Sequence, residues 1–359
     1  MPQDGENARQ NKLVRIVVRM SKVLKRVRYP HRQSKYANHI YDDHQHVILL
    51  ALHQHLRKPY RDACNILEAC DSILEALGLT RVPHWTTLQK FSARADIKRL
   101  EMLFIACLDE ARLRILHLAV DSTGFSPTSA SFYYTRIIEL RTGERGRPRN
   151  RRSIRRYLKQ TMAVETRKQL IAAVKFRYGP GNDSPDFIPV LRKFASARQT
   201  VKLVVADKGY DAERNHEFAR ESFGARTVIP VRGLNRPGIR IRGRYRRKQL
   251  KDFDIESYHQ RAKVETVHSV EKRKMGDHVL AKSAGRQHRE LILRAFAYNV
   301  ARLEAIFLSF IEGFYKASVS LDLRMALVQN SLLIIFRREI ELKYRYREMV
   351  GYEYRLDAG

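Results

Sequence analysis

The first third of the chain repeats its apolar positions at three- and four-residue spacing, which is the pattern of amphipathic helices. Three segments between about residues 36 and 112 show it: YDDHQHVILLALHQHLRK, YRDACNILEACDSILEALG and TTLQKFSARADIKRLEMLFIACLDEARLR. Gly78 suits a helix C-terminus, and Thr86 or Thr87 suits the start of the next helix. A helix-turn-helix and a plain helical bundle both fit this pattern. Residues 1 to about 35 are basic and are expected to be loose.

From residue 113 the pattern changes to short runs rich in β-branched and aromatic residues, which predict strands. These runs are LRILHLAVDSTGF, SFYYTRIIELR, QLIAAVKFRYG, VKLVVADKGYD and ARTVIPV. Helices are predicted in SPDFIPVLRKFASAR, with Ser184 as N-cap and Pro185 in the first turn, and in AERNHEFARESFG. A long helical pattern then runs from about Ile255 to Lys274. Strands interleaved with helices in this order indicate a mixed α/β layer.

The most apolar late segment is LILRAFAYNVARLEAIFLSF, which contains Arg294, Arg302 and Glu304. A membrane span of about 20 residues rarely carries three charges, so this segment is predicted to be a core helix. The N-terminus lacks the apolar stretch of a signal peptide, and the three cysteines match no zinc-binding pattern. We therefore predict a soluble, cytoplasmic protein with no membrane association.

Charge separates this chain from an ordinary globular protein. Its 69 Lys and Arg residues exceed its 38 Asp and Glu residues, giving a net charge of +31. Such an excess indicates a polyanionic partner, and nucleic acid is the commonest one. Two basic stretches hold much of the excess, RTGERGRPRNRRSIRRYLKQ and RGLNRPGIRIRGRYRRKQLK. The residues predicted to contact DNA there are Arg151, Arg152, Arg244, Arg246 and Arg247.

Two aspartates end buried strand patterns: Asp121 in LHLAVDSTG and Asp207 in KLVVADKGY. The ends of neighbouring strands in an α/β sheet meet in the crevice where such folds build their sites. Buried carboxylates need a compensating charge, and Mg²⁺ or Mn²⁺ is the natural partner of clustered carboxylates. Two such ions can activate a nucleophile and stabilise the leaving oxygen in phosphodiester chemistry.

A third acid is expected on the long helix SYHQRAKVETVHSVEKRK. One helical stripe carries Tyr258, Arg261, Glu265 and Lys272. A metal ligand flanked by cationic and hydroxyl groups suits the binding of phosphates beside a metal. A solvated helix face with an Arg–Glu pair fits the same residues. Beside the aspartates, Ser122 and Thr123 suit either contact with metal-bound water or the capping of a turn, and capping is the favoured expectation. Asp211 is expected to be a helix N-cap and Asp183 a loop acid.

The spacing on this helix resembles the Y-x2-R-x3-E-x6-K signature of prokaryotic insertion-sequence DDE transposases. The segments DSTGF and ADKGYD are similar to the segments around the first and second aspartates of that family. The resemblance covers about residues 116–300. The chain has little room between Asp207 and Glu265 for the β-rich insertion that some members carry, so a compact core is predicted.

The resemblance implies an RNase H-like core with the first Asp on the first strand, the second on the fourth and the Glu on a later helix. It implies that Asp121, Asp207 and Glu265 bind two Mg²⁺ ions, with Mn²⁺ as a substitute, and that the signature's other residues contact phosphates. It further implies cleavage at element ends, strand transfer into target double-stranded DNA, and a homodimer on DNA.

The predicted organisation has three regions within an α/β fold class. A basic arm and a helical, DNA-binding domain occupy residues 1–112, the RNase H-like catalytic domain residues 113–305, and a helical tail residues 306–359. Two alternatives remain open at this point: an RNase H-like nuclease that only hydrolyses, and a sequence-specific DNA-binding protein derived from a transposase.

Overall fold

The structure, a computed structural model, describes residues 11–32, 40–127, 157–179, 181–194, 198–233 and 241–320, and of residues 311–320 the backbone alone. The helices are α1 (Lys12–Arg26), α2 (Asp43–Leu56), α3 (Tyr60–Glu68), α4 (Asp71–Leu77), α5 (Trp85–Arg94), α6 (Ile97–Glu110), α7 (Ser184–Arg192), α8 (Glu213–Phe223), α9 (Arg244–Lys251), α10 (Ile255–His259), α11 (Ala262–Met275) and α12 (Ala284–Ser320). The strands are β1 (Ile115–Pro127), β2 (Leu158–Glu165), β3 (Leu170–Tyr178), β4 (Thr200–Ala206), β5 (Arg226–Val228) and β6 (His278–Val279). The predicted strand SFYYTRIIELR lies outside the described residues.

The strands form a mixed sheet in the order β3-β2-β1-β4-β5. β2 is antiparallel to both of its neighbours, β1 and β3. β4 runs parallel to β1, and β5 runs parallel to β4. β6 pairs with the end of β1. The predicted fold class is confirmed: an RNase H-like mixed sheet flanked by helices, with helices before and after it. Between β4 and α11 the described chain adds only a 3₁₀ turn, α8, β5, α9 and α10, so the core is compact, as predicted.

Strand β2 is not predicted by the sequence pattern. All its residues are buried, but Lys159, Gln160 and Thr161 are polar, so an apolar run is missing. Its successive side chains point to opposite faces of the sheet, as strand geometry requires. Gln160 donates to Glu271 of α11 at 3.2 Å, whereas Lys159 pairs with Asp183 beside α7. Helices α7 and α11 therefore cover opposite faces.

Helix α1 contradicts the expectation that the basic N-terminal residues are loose. Its apolar residues share one buried face: Ile16, Val17, Met20, Val23 and Leu24. That face packs against α2, α4, α6 and α12. Glu304 of α12 accepts hydrogen bonds from the guanidinium groups of Arg15 (2.8 Å) and Arg19 (2.9 Å). This basic N-terminal segment therefore forms an amphipathic helix, and Glu304 neutralises part of its positive charge.

Helix α12 confirms the core helix predicted in LILRAFAYNVARLEAIFLSF. Its Arg294 is buried, donates to Oε1 of Gln54 at 3.0 Å and to the carbonyl of Gly276 at 3.2 Å, and pairs with Glu290. The helix is continuous across residue 305, where the catalytic domain was expected to end. The division into three regions stays a prediction. Of the helices that the structure describes, none combines the length and apolar composition needed to cross a membrane.

Helices α4 and α5 occupy the position of the proposed helix-turn-helix. α4 ends at Gly78, whose φ of 62° is left-handed, as the predicted C-terminus requires. α5 begins at Trp85, two residues before Thr87, and His84 at its N-cap position makes no side-chain capping hydrogen bond. The predicted Thr caps are therefore wrong, and a DNA-reading role for these helices stays a prediction.

Candidate active site

Asp121 and Asp207 lie beside each other where β1 and β4 separate. The parallel pairing of these strands ends at Val120 opposite Ala206, so the next residue of each strand is one of the aspartates. Asp207 directly follows β4, as predicted. Asp121 does not end its strand, because β1 continues to Pro127 through its pairing with β2 and β6. The two acids nevertheless share one edge of the site, because the strands are adjacent.

Ser122 has no turn to cap, because β1 continues past it. Its Oγ lies 2.6 Å from Oγ1 of Thr161 and 2.6 Å from the hydroxyl of Tyr210. Tyr210 is fully buried and ends the 3₁₀ turn Lys208–Tyr210 that follows Asp207. This hydroxyl network fixes the turn after β4 against β1 and β2. Ser122 therefore holds the two aspartate-bearing segments together, and the predicted capping role is wrong.

A fourth carboxylate stands near this edge. A Cβ atom added to Gly209 would lie 3.2 Å from Oδ2 of Asp183 and 3.6 Å from Oδ2 of Asp207. The backbone N–H of Gly209 also donates to Asp207 at 3.3 Å. Asp183 is neutralised by the buried Lys159 ammonium, so it belongs to a structural ion pair. A glycine at position 209 leaves room for both carboxylates.

Glu265 lies on α11, which packs on β1 and β2 through the buried Val264 and Val267. The Glu265 side chain is half exposed and its Oε1 lies 2.7 Å from Nη1 of Arg261. Glu265 is thus turned toward the guanidinium group. Within the described part of the chain, no three His, Cys, Asp or Glu side chains stand close enough together to hold a metal as they are.

The predicted long helix is interrupted between α10 and α11, at Gln260 and Arg261. The backbone hydrogen bonds there span three residues, including those from Arg261 to Tyr258 and from Val264 to Arg261. The hydroxyl of Thr166, in the β2–β3 turn, donates to Oε1 of Gln260 at 2.7 Å and fixes the break. Residues three apart eclipse in 3₁₀ geometry. Arg261 therefore stays over the Tyr258 ring, 5.7 Å from its centroid.

The electrostatics link these groups into one site. Burial raises the pKa of Asp121, a backbone hydrogen bond and Arg261 lower it, and the carboxylates of Glu265 and Asp207 raise it, so that the net pKa is about 6. Burial also raises the pKa of Tyr258. The ionised form of Asp121 is therefore disfavoured, chiefly by burial, and the attraction of Arg261 does not restore the ordinary pKa. The oxygen donors of these acids and this unmet need for positive charge fit a hard divalent cation.

Two further residues of α11 lie near this part of β1. Nε2 of His268 lies 3.9 Å from Oδ2 of Asp121, and burial, followed by the nearby Lys272, lowers the pKa of His268 to about 3. Nζ of Lys272 lies 5.4 Å from the ring centroid of Phe125 in β1. The sequence analysis missed His268, although its position one turn after Glu265 is a signal that could have identified it.

The arginines that were predicted to contact DNA differ in exposure and in their partners. Arg244 and Arg247 are exposed on α9. Arg246 instead donates from Nε and Nη2 to the buried carboxylate of Asp211, at 2.8 and 2.6 Å. Arg151 and Arg152 lie outside the described residues.

Asp211 is not the N-cap of α8, because that position is held by Ala212. Burial alone would raise the pKa of Asp211, but the nearby His216 ring, with Nε2 3.8 Å from Oδ1, and hydrogen bonds from Arg246 and the backbone N–H of Arg232 lower it to about 2. Asp211 is therefore ionised, and its pair with Arg246 fastens α9 to the core.

Replacing Arg246 with alanine is expected to destabilise the fold by about 3 kcal/mol, because it leaves the Asp211 carboxylate buried and unpaired. Replacing the exposed Arg247 with alanine is the matched control, and we expect it to weaken DNA binding without changing stability. Urea unfolding and a DNA-binding titration on both variants check this. Equal stability of the two variants would show that Arg246 does not stabilise the fold.

Glu271 of α11 is fully buried, with Oε1 lacking a hydrogen-bond partner in the described structure. Burial raises its pKa to about 7. The folded state therefore binds this proton more tightly than the unfolded chain, and stability is lost as pH rises from about 4.5 to about 7. The Glu271→Gln variant is expected to exceed wild type by up to about 3 kcal/mol at pH 8.

Urea unfolding of wild type and Glu271→Gln at pH 5 and pH 8 tests whether the pKa of Glu271 is raised in the folded protein. The exposed Glu256 supplies the control variant Glu256→Gln, which should show no such pH-dependent gain. The same stability of Glu271→Gln and wild type at pH 8 would show that Glu271 ionises normally in the fold.

A family model described as Transposase DDE domain matches residues 112–300, which is more than half of the chain. A solved structure described as a cryo-EM structure of piggyBac transposase synaptic complex with hairpin DNA is similar, with a TM-score of 0.41 and 12% sequence identity. That similarity covers 97% of this chain and 85% of the other. No curated protein matches the sequence.

Proposed function

Since the chain belongs to the family of transposases with a DDE domain, we propose that it cuts DNA at the ends of a prokaryotic insertion sequence and joins those ends to target DNA. The observation that carries this proposal is the position of Asp121 and Asp207 at the point where β1 and β4 separate. Glu265 on α11 supplies the third acid, within electrostatic reach of Asp121. The spacing of Tyr258, Arg261, Glu265 and Lys272 further supports it.

The proposed metal ligands are Asp121, Asp207 and Glu265. Their carboxylate oxygens would hold two Mg²⁺ ions, with Mn²⁺ as a substitute. When bound, the ions supply activation of the water or 3′-hydroxyl nucleophile and stabilisation of the leaving oxygen. The raised pKa of Asp121 supports this assignment, since a bound cation would stabilise the ionised form of this buried carboxylate, which also lies close to two other acids.

The proposed phosphate-binding residues are Tyr258, Arg261 and Lys272. The planar guanidinium group of Arg261 can donate two hydrogen bonds to phosphate oxygens. The Tyr258 ring lies against this guanidinium group and helps to hold it in place. Lys272 adds a second positive charge near the far end of β1. These groups orient the DNA strand against the carboxylates, and Arg261 must exchange its present partner Glu265 for the strand.

The exposed Arg244 and Arg247 extend the basic surface along α9, where they would contact the DNA backbone. Two element ends need two active sites, so we infer that a homodimer assembles on DNA. The same proposal places the protein at the nucleoid in the cytoplasm of a prokaryotic cell.

A strand-transfer assay tests the proposed function. A duplex carrying the element end and a supercoiled target plasmid are incubated with the full chain in Mg²⁺ or in EDTA. We expect new 3′-hydroxyl ends and joined products in Mg²⁺, and neither in EDTA, because the acids need the divalent ion. Cleavage without joined product would favour a hydrolytic nuclease. Binding without cleavage in either Mg²⁺ or Mn²⁺ would favour a DNA-binding protein.

A further inference from the structure

His268 is a buried polar side chain beside the proposed metal ligands. Its side chain is 8% exposed, and neither ring nitrogen has a hydrogen-bond partner in the described structure. Leaving a buried polar group unpaired costs roughly 1–3 kcal/mol. A second state of the site in which this histidine gains a partner would remove that cost.

The geometry identifies the partner. Nε2 of His268 lies 3.9 Å from Oδ2 of Asp121, about 1 Å longer than a normal hydrogen bond. The neighbouring Val264 and Val267 are fully buried and hold α11 against the sheet. The ring therefore lies beside the Asp121 carboxylate on a helix that is held against the sheet, and a shift of about 1 Å between the two side chains would bring them within hydrogen-bond distance.

We propose that His268 is a positioning residue that donates a hydrogen bond from Nε2–H to Oδ2 of Asp121 when that carboxylate holds a divalent ion. The inference rests on the proposed function, since it concerns the metal-loaded state. A carboxylate that binds a metal is commonly held by a second hydrogen bond, which fixes the direction of its free lone pairs. A hydrogen bond from His268 to Oδ2 leaves Oδ1 of Asp121 for the ion.

Mn²⁺ binding to the full chain, followed by the electron paramagnetic resonance signal of the free ion, tests the role of His268. His268→Phe fills the same space without a donor, and we expect the Kd for Mn²⁺ to rise roughly 10- to 100-fold. His268→Gln carries an N–H donor and should restore most of the affinity. His46→Phe replaces another buried histidine, which stacks on Phe91, and should bind Mn²⁺ like wild type.

Three results would overturn the inference. Equal Mn²⁺ affinity of wild type and His268→Phe would show that the hydrogen bond contributes nothing. A directly bonded nitrogen in the pulsed resonance spectrum of Mn²⁺-loaded wild type would make His268 a ligand instead. If wild type binds Mn²⁺ no better than Asp121→Asn, the proposed metal site itself fails, and that outcome is distinct from the other two.

A measurement on wild type alone covers the case in which the His268 variants do not fold. Nitrogen-15 spectra of the histidine side chains, recorded with and without Mg²⁺, report which ring nitrogen carries the proton. We expect the Nε2–H form of His268, with a shift of its proton resonance on Mg²⁺ addition. The Nδ1–H form, or no response to Mg²⁺, would contradict the proposed donation.

Discussion

The Glu265→Gln variant is expected to lose Mg²⁺-dependent cleavage of an element-end duplex by at least about a thousandfold, because an ion that stabilises the transition state is worth several kcal/mol. Glutamine keeps the shape of the side chain and removes its charge. The fold should be unaffected, since the side chain is half exposed and its pair with Arg261 is at the surface. DNA binding should persist, because the change releases Arg261 to bind phosphate.

Glu256→Gln is the matched control for the Glu265 variant. Glu256 is an exposed acid on α10, one short helix before the proposed ligand. We expect this variant to cleave at the wild-type rate. Cleavage by Glu265→Gln at the rate of the control would remove Glu265 from the site and would leave the Arg261–Glu265 pair as an ordinary surface contact.

The Glu304→Gln variant is expected to lose about 3 kcal/mol of unfolding free energy, the lower end of the usual effect of breaking a buried ion pair, because Arg19 keeps its longer ion pair with Glu110 at 3.5 Å. Glu304 is 2% exposed and accepts from both Arg15 and Arg19. Glutamine can accept one of these hydrogen bonds but cannot neutralise two guanidinium groups. The consequence should be detachment of α1 from α12.

Urea unfolding measured by circular dichroism checks the Glu304 prediction, with the exposed Glu221 of α8 changed to glutamine as the control. Loss of protection of the α1 amides in hydrogen exchange, before the sheet amides, would locate the effect. A Glu304→Gln variant as stable as the control would mean that the two arginines reach solvent in the folded protein.

The sequence was most informative where a pattern is local. The end of β4 just before Asp207 and the C-terminus of α4 at Gly78 each depend on a few consecutive residues, and both predictions are confirmed. The mixed sheet follows from the order of strands and helices, because that order restricts the layers in which they can pack.

Features that depend on distant partners could not be predicted. β2 has buried polar residues that contact α11 and the start of α7, so its sequence lacks a strand-like apolar run. The break at Gln260 depends on a hydrogen bond from Thr166, far away in the chain. Arg246 reads as a DNA contact in a basic run, yet Asp211 makes it a structural residue.

In the proposed site, too, some positions follow from local sequence patterns and others depend on distant partners. Asp121 and Asp207 could be placed together from their strands alone, whereas the packing of α11 against β1 decides where Glu265 lies. The position of His268 one turn after Glu265 is visible in the sequence, whereas its distance to Asp121 is known only from the structure.

The central claim is that Asp121, Asp207 and Glu265 act together to join DNA strands. The most direct test is the yield of joined product from a pre-cut element end with a free 3′-hydroxyl, incubated with target plasmid and Mg²⁺. Using a pre-cut end isolates strand transfer from the first cleavage. We predict joined product from wild type and none from Asp121→Asn, with both proteins bound to the DNA. Joined product from Asp121→Asn at the wild-type level would contradict the claim.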